Sequence, residues 1–113
     1  MEKNILIIGS QGNLGSRLSD YLQEFGHKCS GIDTGFFEHG LLYPQNKKIN
    51  MIRKDARDIK EKDLDGFEVL IQLAGISNDP FGNLKPEKIY DPTRNYAIKI
   101  AKMCKKLSIR YIF

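Results

Sequence analysis

Cysteine is scarce in this sequence of 113 residues: Cys29 and Cys104 stand 75 positions apart, with no Cys-x-x-Cys and no Cys/His cluster beside either. That points to reduced core thiols in a cytoplasmic protein, with no metal centre. Long apolar runs are missing too. The longest, Ile5 to Ile8, has four residues, against the roughly 20 that cross a bilayer, so no membrane partner is expected. The opening MEKNILIIGS lacks the longer apolar stretch and small-residue cleavage site of a signal peptide. No repeat, linker or low-complexity tract interrupts the chain. Charge of one sign does not dominate, since 18 Lys+Arg against 14 Asp+Glu leave a net charge of +4. Lys99, Lys102, Lys105 and Lys106 lie along one predicted helix without the aromatic or glycine pattern of a nucleic-acid reader, so they read as a solvated face and no nucleic-acid partner is expected. With 41% hydrophobic and 28% charged residues, what remains is an ordinary globular composition of one-domain length, which excludes a disordered chain.

Apolar patterning then supplies the elements. Lys3 to Ile8 is an Ile/Leu run ending in glycine, as suits a strand buried on both faces. From Asn13 to Phe25, the three- and four-residue spacing of Leu14, Leu18, Leu22 and Phe25 predicts a helix packed through those side chains, with Gly26 as its stop. Further strands are expected at Lys28 to Ile32, Lys48 to Arg53, Val69 to Leu73 and from Tyr111 to Phe113. Residues 34–46 and 74–85 read as loops, and Asp58 to Asp65 as room for one helical turn.

The second long helix has two possible starts. Pro86 could occupy its first turn, leaving Pro92 inside with a lost hydrogen bond and a kink, or Asp91 could cap a helix that begins at Pro92. Either way its apolar residues (Ile89, Tyr96, Ala97, Ile100, Ala101, Met103, Cys104 and Leu107) cover an arc of roughly 160°. Tyr96, Ile100 and Met103 form a surplus that could meet the same helix, 92–107, of a second copy in a homodimer, or could belong to a well-buried helix. Strands alternating with helices imply right-handed βαβ units and a doubly wound parallel α/β sheet of order 3-2-1-4-5. Ligands of such sheets lie beyond the carboxyl ends of the strands, beside strand 1.

Four segments fall in those places. Gly9-Ser10-Gln11-Gly12-Asn13-Leu14-Gly15 joins the first strand to the first helix. Gly9 permits a tight turn, Gly12 a close approach of pyrophosphate to backbone, and Gly15 close packing of helix on strand, while the helix N-terminus offers free N–H groups. Asp33 closes the second strand, 18 residues past Gly15, where a carboxylate accepts from adenosine ribose hydroxyls and repels a 2′-phosphate, favouring NAD over NADP. Asp55-Ala56-Arg57-Asp58 follows the third strand, where Asp55 could accept from the adenine amino group and the Ala56 backbone could meet the ring edge, or the run could be a solvated charge cluster. After the fourth strand, Leu73, Ala74, Gly75, Ile76, Ser77 and Asn78 combine small residues with uncharged hydrogen-bonding groups.

In this order and spacing the segments GSQGNLGS, GIDTGFF, IRKDARD, LAGISNDPFG and PEKIYDPTRNYA resemble the NAD-dependent epimerase/dehydratase family of extended short-chain dehydrogenase/reductases, most closely its sugar-nucleotide 4-epimerase-type members. The resemblance spans essentially the whole chain and implies a Rossmann-type NAD-binding domain over residues 1–113. It also implies backbone contacts from Asn13 and Leu14 to the pyrophosphate, and contacts from Asp33 and Thr34 to the adenosine ribose. Asp55 and Ala56 would hold adenine, and Leu73, Ala74, Gly75, Ile76 and Ser77 would line the nicotinamide-side ribose. Asn95 matches an asparagine near the cofactor, although helical counting sets it among the lysines. Gly75 stands where many members carry alanine.

The family's reaction also uses a Ser/Thr after the fifth strand and a Tyr-x-x-x-Lys pair on the next helix, for proton exchange with the sugar hydroxyl and for tuning the tyrosine. No such pair occurs on a helix here. Tyr43 and Lys47 have the spacing but fall in a loop. The sequence is therefore expected to be the cofactor-binding N-terminal part of a nucleotide-sugar epimerase or dehydratase, truncated after the fifth strand, without its substrate domain and inactive alone. The alternatives are a stand-alone NAD-binding regulatory module and a broken fragment whose exposed apolar surface promotes association.

Overall fold

The computed structural model describes residues 2–10, 12–33, 49–74 and 86–113, and of residues 13 and 86–94 the backbone alone. Five strands, β1 (Asn4–Ile8), β2 (Lys28–Asp33), β3 (Asn50–Arg53), β4 (Val69–Gln72) and β5 (Arg110–Ile112), form one sheet in the order β3-β2-β1-β4-β5. Every pairing is parallel. This is the doubly wound order expected from the alternation of elements, with the reversal between β2 and β4 on the two sides of β1. The helices are α1 (Asn13–Glu24), a single turn α2 (Glu61–Leu64) and α3 (Pro86–Lys106), with a 3-10 turn at Ala56–Asp58.

Side-chain alternation along β1 builds a core on each face. Leu6 and Ile8 join Ile32, Leu70, Ala56, Ile59 and Leu64 under the Tyr96, Ala97, Ile100 and Cys104 side of α3. Ile5, Ile7 and Cys29 form a smaller cluster on the opposite face, with Leu22 of α1, Val69 and Ile71 packed against it. That is why the β1 run reads as continuous rather than alternating.

α1 departs from expectation. Its buried positions are Gly15, Ser16 and Ser19, whereas Leu14, Tyr21 and Phe25 are exposed and Leu18 and Leu22 are half-buried. The helix lies so close to the strands that small residues take the inner line. A Cβ at Gly15 would overlap the Gly9 carbonyl oxygen, and Ser19 Oγ turns inward to donate to the Ser16 carbonyl at 3.0 Å. Its end is as expected: Gly26, at φ +87°, closes a Schellman motif in which the His27 and Gly26 N–H groups donate to the Leu22 and Gln23 carbonyls.

α3 begins at Pro86, so Pro92 lies inside it. The apolar arc that could have faced a second copy is used within the chain: Tyr96 and Ile100 are buried and Met103 packs against the same cluster. Two phenols tie this helix to the sheet, the Tyr96 hydroxyl donating to the Ala74 carbonyl at 2.8 Å and the Tyr111 hydroxyl to the Ala97 carbonyl at 3.2 Å. Burial, with smaller contributions from Cys104 and Tyr96, pushes the Tyr111 phenol up to about 12. Ser108, at φ 58°, follows the helix in the left-handed conformation usually given to glycine. None of the described helices is long and apolar enough to cross a membrane.

Candidate functional site

The carboxyl ends of β1, β2 and β4 meet at Gly9. Its N–H donates to the Ile32 carbonyl at 2.8 Å, one residue before Asp33, while Leu73 N–H donates to the Ile8 carbonyl at 2.9 Å on the other side. Gly9 has φ +88°, and a Cβ there would sit 2.8 Å from the Ala74 nitrogen. Positive φ and this close approach both require glycine, so the turn is pressed flat between the exits of β2 and β4.

Each of the other two glycines has its own reason. Gly15 is excluded from carrying a Cβ by the Gly9 carbonyl. Gly12 is not: its φ of −73° suits any residue, and among the described residues a Cβ there would meet the Gly9 carbonyl oxygen alone, at an ordinary 3.5 Å. Within the chain's own packing the bare backbone at Gly12 is unexplained. It leaves room for a ligand to lie against the helix entrance.

That entrance suits an anion. Gly12 is the N-cap of α1 and brings no capping side chain, and the first turn holds no acidic residue. The leading N–H groups of a helix have no carbonyl partner within it, and the macrodipole favours negative charge there. The backbone of Asn13 and Leu14 lies in this first turn, and the Leu14 side chain is 65% exposed.

Asp33 is half-buried at the end of β2, in register with Arg53, and its carbonyl accepts from Lys54 N–H at 3.0 Å. By strand alternation it shares a face with Gly31 and Cys29, the face that carries α1. The turn and the carboxylate thus occupy one rim, as their sequence spacing implies.

Asp55 is already engaged. One oxygen accepts from Arg57 N–H and Nε at 2.9 and 3.0 Å, and the other from Arg57 Nη2 at 2.7 Å. The Arg57 guanidinium holds this carboxyl below the usual carboxylate range. Asp55 thereby caps the 3-10 turn, and Ala56 puts its methyl into the core. The segment read as possibly a solvated charge run is a built corner, with part of Asp55 still facing outward.

Leu73 and Ala74 lie beside Gly9 at the exit of β4, and Asn95 is exposed on α3, in keeping with the helical count. Thr34, Gly75, Ile76 and Ser77, with Gln11 of the glycine turn and Tyr43 and Lys47, lie outside the described residues.

Three contributors escape a reading of sequence. Ser10 is fully buried and donates to Met51 Sδ at 2.9 Å, and it fills the space over Gly31, where a Cβ would overlap its hydroxyl. Gln72 and Tyr96 both bond the Ala74 backbone. Ser10 and Tyr96 lie inside quoted segments, yet their roles are hidden there because each acts on a residue distant in sequence. The only sequence signal is a polar group inside an apolar run, as with Gln72 in VLIQL.

The sequence pattern of the NAD dependent epimerase/dehydratase family matches residues 5–113. No curated relative matches the chain. Among solved structures, a UDP-N-acetylglucosamine 4-epimerase from Methanobrevibacter ruminantium M1, in complex with UDP-N-acetylmuramic acid, is 26% identical with a TM-score of 0.80, over 99% of this chain and 37% of that one. The Bordetella bronchiseptica enzyme WbmG in complex with NAD is 24% identical with a TM-score of 0.74, over 96% and 36%. UDP-glucuronic acid 4-epimerase from Bacillus cereus in complex with NAD is 22% identical with a TM-score of 0.70, over 96% and 38%. The last two likenesses concern the fold alone. The chain spans little more than a third of the length of these structures.

Proposed function

Because the chain belongs to the NAD dependent epimerase/dehydratase family, we propose that residues 1–113 are the NAD-binding portion of an enzyme acting on nucleotide-linked sugars, of the UDP-glucose 4-epimerase type. The observation that carries this reading is the bare backbone at Gly12, at the entrance of a helix with an uncapped, acid-free first turn. The N–H groups of Asn13 and Leu14 hold the pyrophosphate there. Asp33, with Thr34, accepts from the adenosine ribose hydroxyls, and its charge disfavours a 2′-phosphate. The outward part of Asp55 and the backbone of Ala56 receive adenine. Leu73 to Ser77 line the nicotinamide-side ribose, with Asn95 near the cofactor.

When bound, NAD supplies reversible hydride transfer to and from a sugar carbon. The chain's own part is to bind and orient: Gly9, Gly12 and Gly15 let the backbone approach the diphosphate, and Asp33 fixes which end of the dinucleotide lies over β2. Proton transfer to the sugar hydroxyl needs the Ser/Tyr/Lys set that the resemblance implies and that no helix among the described residues carries, so this chain alone is inactive in epimerisation or dehydration. The UDP-linked sugar named for the 26%-identical structure supports a nucleotide-sugar substrate. The buried free thiols Cys29 and Cys104 suit a cytoplasmic setting.

Calorimetric titration of the chain with NAD and with NADP tests the reading. Heat with NAD, weaker binding of NADP, and a loss of roughly 10- to 100-fold in NAD affinity in Asp33→Ala are expected, the size of hydrogen bonds to a charged group. Absence of heat with NAD on folded protein overturns it.

A further inference from the structure

Ala74, at the exit of β4, has both of its backbone polar groups, one from each of the peptides it joins, held by side chains. Its N–H donates to Gln72 Oε1 at a long 3.4 Å, and its carbonyl accepts from the Tyr96 hydroxyl at 2.8 Å. The same residue lies against the bare Cα of Gly9, its nitrogen 2.8 Å and its Cα 3.1 Å from where a Cβ would be. Helix α3, 22 residues further along the chain, is therefore tied through one carbonyl to the turn that opens α1.

Packing explains the Tyr96 ring but neither its hydroxyl nor the Gln72 amide. Gln72 is 3% exposed, and its face of β4 is the one where Leu70 enters the larger apolar cluster. Its Nε2 has no acceptor among the described residues. A buried donor left unpaired costs stability, so an apolar side chain of the same length would serve the core better. What glutamine adds is the bond from Oε1 to Ala74. Tyr96 fills its core position with its ring and reaches Ala74 with its hydroxyl alone.

We infer that Gln72 and Tyr96 are positioning residues: together they clamp the N–H and the carbonyl of Ala74 beside Gly9, so that the Ala74 backbone meets the nicotinamide half of the bound dinucleotide in a fixed geometry. This rests on the cofactor reading above. The adenosine half is held elsewhere, by the turn and by Asp33, and does not depend on the clamp.

The two halves can be separated by calorimetry of the chain with NAD and with AMP, which carries the adenosine half only. Tyr96→Phe keeps the ring and Gln72→Met keeps the length. Each should weaken NAD roughly three- to tenfold, the yield of one ordinary hydrogen bond, and leave AMP unchanged. Gln72→Met should also melt no lower than the parent chain, since it removes the unpaired donor, so affinity falls without a fall in stability. Unchanged NAD affinity in either variant overturns the clamp, as does a parallel loss of AMP, which would mean general distortion. Failure of the parent chain to bind NAD overturns the cofactor reading and the clamp with it, whereas NAD binding indifferent to both substitutions overturns the clamp alone.

Discussion

Among the described residues, a methyl group at Gly12 would meet one oxygen at van der Waals distance, and a methyl at Gly15 would overlap that same oxygen. Gly12→Ala should therefore keep stability within about 1 kcal/mol, because a slightly poorer N-cap is offset by a stiffer unfolded chain, yet lower NAD affinity at least roughly tenfold by filling the space over the helix entrance. Gly15→Ala should cost about 1–3 kcal/mol, as overpacked sites do. Melting curves with NAD calorimetry separate the two, and equal stability losses would defeat the distinction. At Asp55 the linkage is to acid. Arg57 lowers the carboxyl's folded value, so its contribution is present above the unfolded value of about 4 and is lost as pH falls through the lowered one. In Arg57→Ala, carboxyl NMR should show Asp55 titrating closer to the ordinary range, and an unmoved titration would contradict this. Gly9, Gly15 and Asp33 were legible in the sequence because their work is local and their spacing is fixed by one strand, one turn and one helix. Ser10 and Tyr96 were not, since their partners are chosen by the tertiary fold, and the bond of Gln72 to Ala74 was not, since it depends on burial of the amide beside the strand exit.

Helix α1 shows how periodicity can locate an element and still misplace its inner face. Leu14, Leu18, Leu22 and Phe25 recur at helical spacing, but so do Gly15, Ser16 and Ser19, and the short distance between helix and strands selects the small set. Ser19→Leu is expected to cost about 1–3 kcal/mol, while Leu14→Ser, at a 65% exposed position, should stay within about 0.5 kcal/mol. Chemical denaturation of the pair checks the inversion, and the opposite ranking would restore the leucine face. In α3 the wide apolar arc was legible, and so was its ambiguity. It is wide because the helix covers β1, β4 and the corner formed by Ala56 and Ile59, all within one chain.

For the whole molecule, strand order followed from the alternation of elements and the handedness of crossovers, and all five strands fall in the expected sequence. The balance between the two faces was not legible. The α3 face is closed by a large cluster. Among the described residues, α1 is the sole helix on the other face, where Val69, Ile71 and Leu73 are half-buried and Ile112, on the neighbouring β5, is 45% exposed. Contiguous apolar surface of this kind promotes association. Sedimentation velocity of the chain should show concentration-dependent self-association that Ile112→Lys reduces, and a strictly monomeric parent would refute it.

Parallel pairing gives every strand the same direction, so the molecule has a front and a back. Anything fused ahead of Glu2 departs from the blunt underside, far from the glycine turn. Anything joined after Phe113 is delivered beside the upper end of β4, on the same rim as the proposed dinucleotide. A purification handle thus belongs at the beginning of this polypeptide, and a fluorescent reporter of nucleotide capture at its end.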